Sequence, residues 1–174
     1  MSEQKAGKYA CYEFERKFLL PELPSPLITS LNYKQIEDIY YSDTKLRLRI
    51  VRSSNGKILD RKLTKKYIPP NSDLSVNVIT SIYLTESEQN LLSQLEGQRI
   101  RKNRHQFSYG DHNFSIDDFK DPYEGLVIAE IEFDSKEVME KFIPPFSNWK
   151  DVTLEVQYSG GYLASNISKV SVPN

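Results

Sequence analysis

The chain has 174 residues, 27% of them charged, and a formal net charge of −1 at pH 7. This length predicts one domain, residues 1–174, with its own hydrophobic core. The near-neutral balance argues against a nucleic-acid partner. No window approaches the run of about 18 apolar residues that a membrane helix needs, and the N-terminus has no apolar leader. We therefore expect a cytoplasmic protein without a membrane partner.

The single cysteine and the two histidines carry little functional signal. Cys11 has no partner for an internal disulfide, which fits a reducing compartment, and we expect it to be a buried small side chain at a strand start. His105 and His112 have no metal-type neighbours in sequence, so structural roles are expected for both.

The segment 12–19 is predicted to be a strand with an unusual charge pattern. Side chains of a strand alternate between its faces. Glu13, Glu15 and Lys17 therefore share one face, while Phe14 and Phe18 lie on the other. Alone, this pattern does not distinguish a solvated face from a functional one.

The rest of the chain contains further alternating segments separated by turn and helix signals. Predicted strands cover residues 35–42, 45–52, 57–67, 76–84, 99–109, 113–119, 127–133 and 152–158. Predicted helices cover 27–31, the segment from a Thr85/Glu88 capping box to Gly97, the segment from Asp134 or Ser135 to Phe142, and 162–169. Asn55-Gly56 predicts a type I′ hairpin turn.

Several of these strands carry a charged row opposite an apolar row. The charged rows are Arg47/Arg49, Lys62/Lys66, Lys102/Arg104 and Glu130/Glu132, with Asp117 on a further strand. Two architectures fit: an open sheet with a solvated charged face, or a closed barrel with a polar lumen and an apolar outside covered by helices. In a lumen, carboxylates would suit Mg²⁺ or Mn²⁺, and lysines and arginines would suit phosphate oxygens. Such a lumen suits phosphoryl transfer.

The motifs, taken in order, resemble the CYTH superfamily, the triphosphate tunnel metalloenzymes. Glu13-x-Glu15-x-Lys17 within EFERKFLL is similar to the signature strand of that family. The resemblance continues through DIYYSD (38–43), LRLR (46–49), LTKK (63–66), the Lys-x-Arg of 102–104, Ile-Asp (116–117), AEIEF (129–133) and FIPP (142–145). The ordered set spans nearly the whole chain.

The resemblance implies an α+β fold: a closed antiparallel β-barrel of about eight strands, of triphosphate-tunnel type, with a charged lumen and helices packed outside. It implies metal-dependent hydrolysis of an inorganic, organic or nucleoside triphosphate, with Mg²⁺ or Mn²⁺ as cofactor. Implied catalytic residues are Glu13, Glu15, Lys17 and Glu132. Implied substrate-binding residues are Lys17, Arg47, Arg49, Lys66, Lys102 and Arg104. Implied metal ligands are Glu13, Glu15, Asp117, Glu130 and Glu132.

Two departures from the family pattern keep alternatives open. Ile79 and Ser81 stand where many members carry acids. Near the C-terminus, members often carry a basic residue and an Asn around the final Tyr, whereas this chain has EVQYSGG (155–161), in which Glu155 is a weaker site candidate. The alternatives are a class IV-type adenylate cyclase that makes cAMP from ATP, and a non-catalytic triphosphate or polyphosphate binder.

Overall fold

The computed structural model describes residues 7–167. The strands are β1 (Cys11–Leu20), β2 (Tyr33–Tyr41), β3 (Leu46–Ser53), β4 (Ile58–Tyr67), β5 (Val76–Tyr83), β6 (Gly97–Tyr109), β7 (His112–Phe119), β8 (Val127–Phe133) and β9 (Lys150–Asp151). The helices are α1 (Ser25–Ile28), α2 (Glu86–Leu92), α3 (Lys136–Lys141) and α4 (Gly160–Ser165), with a 3₁₀ turn over Val156–Tyr158. In the described part of the chain, no helix combines the length and the apolar character needed to cross a membrane.

Eight of the strands form a closed antiparallel barrel. Their order is β5-β4-β3-β2-β6-β7-β8-β1, and β1 pairs back to β5 from Cys11 opposite Ile79 to Phe14 opposite Val76. Beyond the end of β5, the short β9 pairs with β1 at Phe18 and Leu19. Closure confirms the predicted barrel and excludes the open charged slab, because the charged rows now face a common interior.

The apolar rows face outward and are covered by helices, as predicted. One buried cluster joins Phe18, Ile116 and Ala129 of the sheet to Leu27 of α1 and to Phe142, which ends α3. Another joins the outward side chains of β2 and β3 to Leu92 of α2. The main hydrophobic core therefore lies between the barrel wall and these helices, and the charged rows face the lumen.

Helix α4 differs from the other helices because it packs against lumen-facing residues. Its Leu163 and Ala164 are buried with Ile100, Phe119 and Ile128. Those three barrel residues also line the central cavity. The expected tail helix of 162–169 thus begins two residues earlier, and residues beyond 167 lie outside the described range.

The hairpin at Asn55-Gly56 forms, but its predicted type I′ turn is wrong. Positive φ occurs at Gly56 (86°) and not at Asn55. The Gly56 amide donates to the Ser53 carbonyl at 2.9 Å, and Arg52 pairs with Ile58 after a register shift. This is a three-residue loop in which Gly56 forms a bulge, the next most common hairpin solution.

Two further boundaries differ from expectation. The capping box at Thr85 and Glu88 is present, but α2 ends at Leu92, and Gly97 begins β6 instead of ending the helix. A Cβ at Gly97 would lie 2.7 Å from Ile39 Cγ2 and 2.8 Å from the Tyr40 carbonyl oxygen. Close strand packing therefore requires glycine there.

Cys11 was expected to be buried and is exposed.

The predicted last strand, 152–158, is also wrong. Regular pairing stops at Asp151, because the Thr153 hydroxyl bonds Asp151 Oδ1 at 2.5 Å and accepts from the Lys17 amide at 3.0 Å. These side-chain bonds turn the chain away from β1. The turn brings Glu155, Val156 and Tyr158 to the cavity instead of extending the sheet.

Candidate active site

A cavity of about 670 Å³ fills the interior of the barrel, within the usual range for small-molecule sites. Every predicted site residue except Asp117 lines it. Its basic lining residues are Lys17, Lys45, Arg47, Arg49, Lys62, Lys66, Lys102 and Arg104. Its acidic lining residues are Glu13, Glu15, Asp38, Glu130, Glu132 and Glu155.

Asp38 of β2 holds the arginine strand β3. Arg49 lies opposite Asp38 in the β2–β3 register and donates Nε and Nη2 to its two carboxylate oxygens at 2.7 Å each. Asp38 is only 1% exposed. Burial alone would raise the pKa of Asp38, but Arg49 and Arg47 outweigh burial and hold that pKa below its usual range. The pair is therefore ionised and fixes the Arg49 fork.

Arg47 is held less completely. Its Nε lies 3.8 Å from Asp38 Oδ1, and this buried atom has no hydrogen-bond partner among the described residues. Burial opposes charge on Arg47, yet the Asp38 carboxylate outweighs it and raises the Arg47 pKa. An unsatisfied, permanently charged donor facing a cavity is suited to an anionic ligand.

Asp117 of β7 does not line the cavity itself, but it holds two basic residues that do, Lys102 and Arg104. Arg104 donates Nε and Nη2 to the two oxygens of Asp117 at 2.6 Å each, and Lys102 also bonds this carboxylate. Arg104 reaches on to Glu130 Oε2 at 2.5 Å. Burial opposes ionisation of Glu130, but Arg104 and Lys102 hold its pKa well below the usual range. Both oxygens of Asp117 are thus engaged by cations, which favours a positioning role over metal ligation.

The third group is built on the signature strand. Glu15 Oε1 accepts from Lys17 at 2.8 Å, from Lys66 at 3.0 Å and from Asn77 at 3.0 Å. Lys66 also donates to Glu13 Oε2 at 2.6 Å. Burial would raise the pKa of Glu15, but the positive charges of Lys17 and Lys66 outweigh burial and lower that pKa below its usual value. One ammonium group, that of Lys66, therefore lies between the two glutamates.

Glu132 is the exception among the lumen carboxylates. It lies opposite Glu15 in the β1–β8 register, is exposed, and forms no ion pair within the described residues. Incomplete hydration raises the pKa of Glu132, and repulsion from Glu13 and Glu15 raises it further. Glu13, Glu15 and Glu132 therefore lie close enough at one end of the lumen to repel one another.

The donor set of this acidic end fits a hard divalent cation, since all its ligands would be carboxylate oxygens. The repulsion that raises the Glu132 pKa is what a cation there would relieve. Among residues 7–167, however, no three Asp, Glu, His or Cys side chains converge closely enough to hold a metal ion. The ammonium of Lys66 separates Glu13 from Glu15 instead.

Sequence reasoning missed several lumen residues. Asp38 and Asn77 are buried polar side chains that hold predicted site residues in place. Asp38 could have been found by pairing β2 with β3 across their short turn, which puts it opposite Arg49. Glu155, the weaker candidate, lines the cavity and pairs with Lys150 at 2.8 Å.

The strand β5 brings no acid to the lumen. Ile79 and Ser81 line the cavity, and the Ser81 hydroxyl is bonded to Thr64 at 2.8 Å. This face of the barrel is therefore neutral, as the departures in sequence indicated.

A closed eight-stranded antiparallel barrel with a charged interior and a few outer helices is the triphosphate-tunnel fold. Two crystal structures of the protein NE1496, described in one as an inorganic triphosphatase and in the other as a hypothetical protein, share it. The first is 22% identical over 93% of this chain and 97% of its own, and the second 23% identical over 92% and 99%, each with a TM-score of 0.56.

A crystal structure from Bacillus halodurans, of a protein assigned as a candidate adenylate cyclase, also matches. It is 17% identical over 95% of this chain and 96% of its own, with a TM-score of 0.50. No protein-family model matches the chain, and no curated protein sequence matches it. These likenesses confirm the predicted fold, a closed antiparallel barrel of the triphosphate-tunnel type with helices outside.

Proposed function

We propose that the barrel lumen binds a triphosphate-containing small molecule and hydrolyses it with the help of a divalent metal ion. The observation that carries this proposal is the cavity itself: eight basic side chains line it, and Glu13, Glu15 and Glu132 repel one another at one end. Cations of this density are stabilised by a polyanion, and the carboxylates by a hard cation. The likeness in fold to an inorganic triphosphatase supports the proposal.

The basic side chains divide into held and available donors. Arg49 and Arg104 each donate two hydrogen bonds to a buried aspartate, which fixes the orientation of the guanidinium group. Arg47 keeps a buried donor unsatisfied. We assign phosphate binding to the six basic residues predicted for it, and Arg47 is the one whose donor lacks a partner among the described residues. Asp38 and Asp117 are assigned the role of holding these basic side chains in position.

The metal would be held by Glu13, Glu15 and Glu132, with Mg²⁺ or Mn²⁺ as the fitting ions. When bound, such an ion neutralises phosphate charge and lowers the pKa of water. Glu132, which lies opposite Glu15 and forms no ion pair among the described residues, is suited to orient a water beside the ion and accept its proton. With tripolyphosphate, water would cleave a terminal P–O bond to release orthophosphate and pyrophosphate.

A non-catalytic binder is the second candidate, because the neutral Ile79 and Ser81 leave the lumen with fewer acids than the resemblance implies. A phosphate-release screen separates the candidates. Tripolyphosphate, ATP and other triphosphates would each be incubated with Mg²⁺, with Mn²⁺ and with a chelator. Metal-dependent orthophosphate release supports the hydrolase, and cAMP from ATP supports the cyclase. Binding without any product supports the binder.

A further inference from the structure

The position of Lys66 suggests a second role for this residue. It is predicted to bind phosphate, yet its ammonium donates to Glu13 at 2.6 Å and to Glu15 at 3.0 Å. Those two carboxylates are two of the three assigned to the metal. A lysine ammonium and a divalent ion cannot both occupy the space between the same oxygens.

Lys66 is less tightly enclosed than its neighbours in this group. Its side chain is 28% exposed, against 13% for Lys17 and 4% for Glu15. Lysine is a flexible point charge with no preferred fork geometry, so it exchanges partners more readily than arginine. Lys66 therefore combines an internal ion pair with the freedom to leave it.

We propose that Lys66 is an exchangeable internal counter-ion: its ammonium occupies the cation position between Glu13 and Glu15 until a divalent ion takes that position, and it then turns to the bound phosphate. This inference rests on the proposed function. It accounts for the lack of a cluster of three acidic side chains among the described residues, because the Lys66 ammonium lies between Glu13 and Glu15. On this proposal, Lys66 weakens metal binding by competing for the same carboxylates and strengthens binding of the polyanion.

The test measures Mn²⁺ binding without any phosphate, by isothermal titration of the whole protein. Lys66→Met removes the charge and keeps the length of the stem. Lys62→Met is the matched control, because Lys62 lies on the same strand, lines the same cavity and is equally exposed, but pairs with Asp60 at 3.7 Å. A melting curve of each variant verifies folding, and Lys66→Gln replaces Lys66→Met if the latter does not fold.

We expect Lys66→Met to bind Mn²⁺ about tenfold or more tightly than the wild type, since a contacting charge is removed. Lys62→Met should change the affinity less than about threefold, as expected for a distant, partly screened charge. Lys66→Arg should bind Mn²⁺ no more tightly than the wild type, because the positive charge between the glutamates is kept and the arginine fork leaves it less readily. Equal effects of Lys66→Met and Lys62→Met, or weaker binding by Lys66→Met, would overturn the inference.

The outcome is separable from that of the proposed function. Metal-dependent phosphate release by the wild type, with no gain of Mn²⁺ affinity in Lys66→Met, overturns the counter-ion role alone. Absence of Mn²⁺ binding from every variant, together with absence of metal-dependent turnover, overturns both.

Discussion

At the scale of single residues, two buried aspartates hold the arginines of the lumen. Asp38 is engaged by both arms of the Arg49 fork, and Asp117 by the same arrangement from Arg104. Both aspartates are 1% exposed. A buried charge without its partner is costly, so each aspartate stabilises the fold and also keeps its donors in one orientation.

Asp38→Asn should therefore lower the free energy of unfolding by about 3 kcal/mol, the usual cost of breaking a buried pair. Denaturant titration measures this loss. Asp60→Asn is the control, because Asp60 is 38% exposed and lies 3.7 Å from Lys62, and it should cost less than about 1 kcal/mol. Equal losses would contradict the positioning role of Asp38.

The same pair predicts a pH dependence. The folded-state pKa of Asp38 is lowered, so its contribution is complete above the unfolded pKa of about 3.9 and is lost as the pH falls toward the folded pKa. The difference in unfolding free energy between wild type and Asp38→Asn should shrink below about pH 4. A difference that stays constant down to pH 2 would contradict the ion pair.

Glu132 has the opposite sign. Its pKa is raised in the fold, so its contribution is complete below the unfolded pKa of about 4.3 and is lost as the pH rises through the folded pKa. Glu132→Gln should thus melt at a higher temperature than the wild type at pH 7 without metal. Phosphate release should fall about a hundredfold or more. Glu137→Gln, at an exposed position of α3, should change neither, and full activity in Glu132→Gln would exclude its role with water.

At the scale of elements, Gly160 lets the start of α4 pack closely against Tyr40, which lines the lumen. A Cβ at Gly160 would lie 2.1 Å from the Tyr40 hydroxyl oxygen, whereas a Cβ at Gly161 would meet nothing within 4 Å. Gly160→Ala should therefore cost about 1–3 kcal/mol by overpacking, and Gly161→Ala should be neutral or slightly stabilising. Thermal unfolding of the two variants compares them directly. Equal stabilities would show that α4 does not pack on Tyr40 as described.

The sequence predicted the barrel strands and the lumen-facing rows because alternation within a strand needs no knowledge of its neighbours. Glu13, Lys66 and Arg104 were therefore placed on the correct faces. The partner of each charge depends on strand register and side-chain reach. The two-armed contact of Arg104 with Asp117 was for that reason beyond the pattern.

Elements were misjudged where side chains or tertiary contacts override local pattern. The alternating segment 152–158 has the character of a strand, yet Thr153 turns it by bonding Asp151 and Lys17. Gly97 resembles a helix stop but begins a strand, because only glycine fits against Ile39. The first correction bears on the site, because the turn at Thr153 leads the chain toward α4.

At the scale of the whole molecule, closure turns a nearly neutral chain into a charged compartment. The net charge is −1, but eight cations and six acids are brought to one cavity. Most acids are paired internally, while Arg47 keeps an unsatisfied donor. The central claim is that this compartment binds a polyphosphate.

The most direct test is the melting temperature with and without tripolyphosphate, against chloride at equal ionic strength. A hundredfold excess over Kd stabilises a protein by about 2.7 kcal/mol, so tripolyphosphate should raise the melting temperature by several degrees beyond chloride. Arg47→Ala should lose most of this shift. Arg101→Ala, at an outer position that is 61% exposed, should keep it. A melting temperature that tripolyphosphate leaves at the chloride value, with and without Mg²⁺, would contradict the claim.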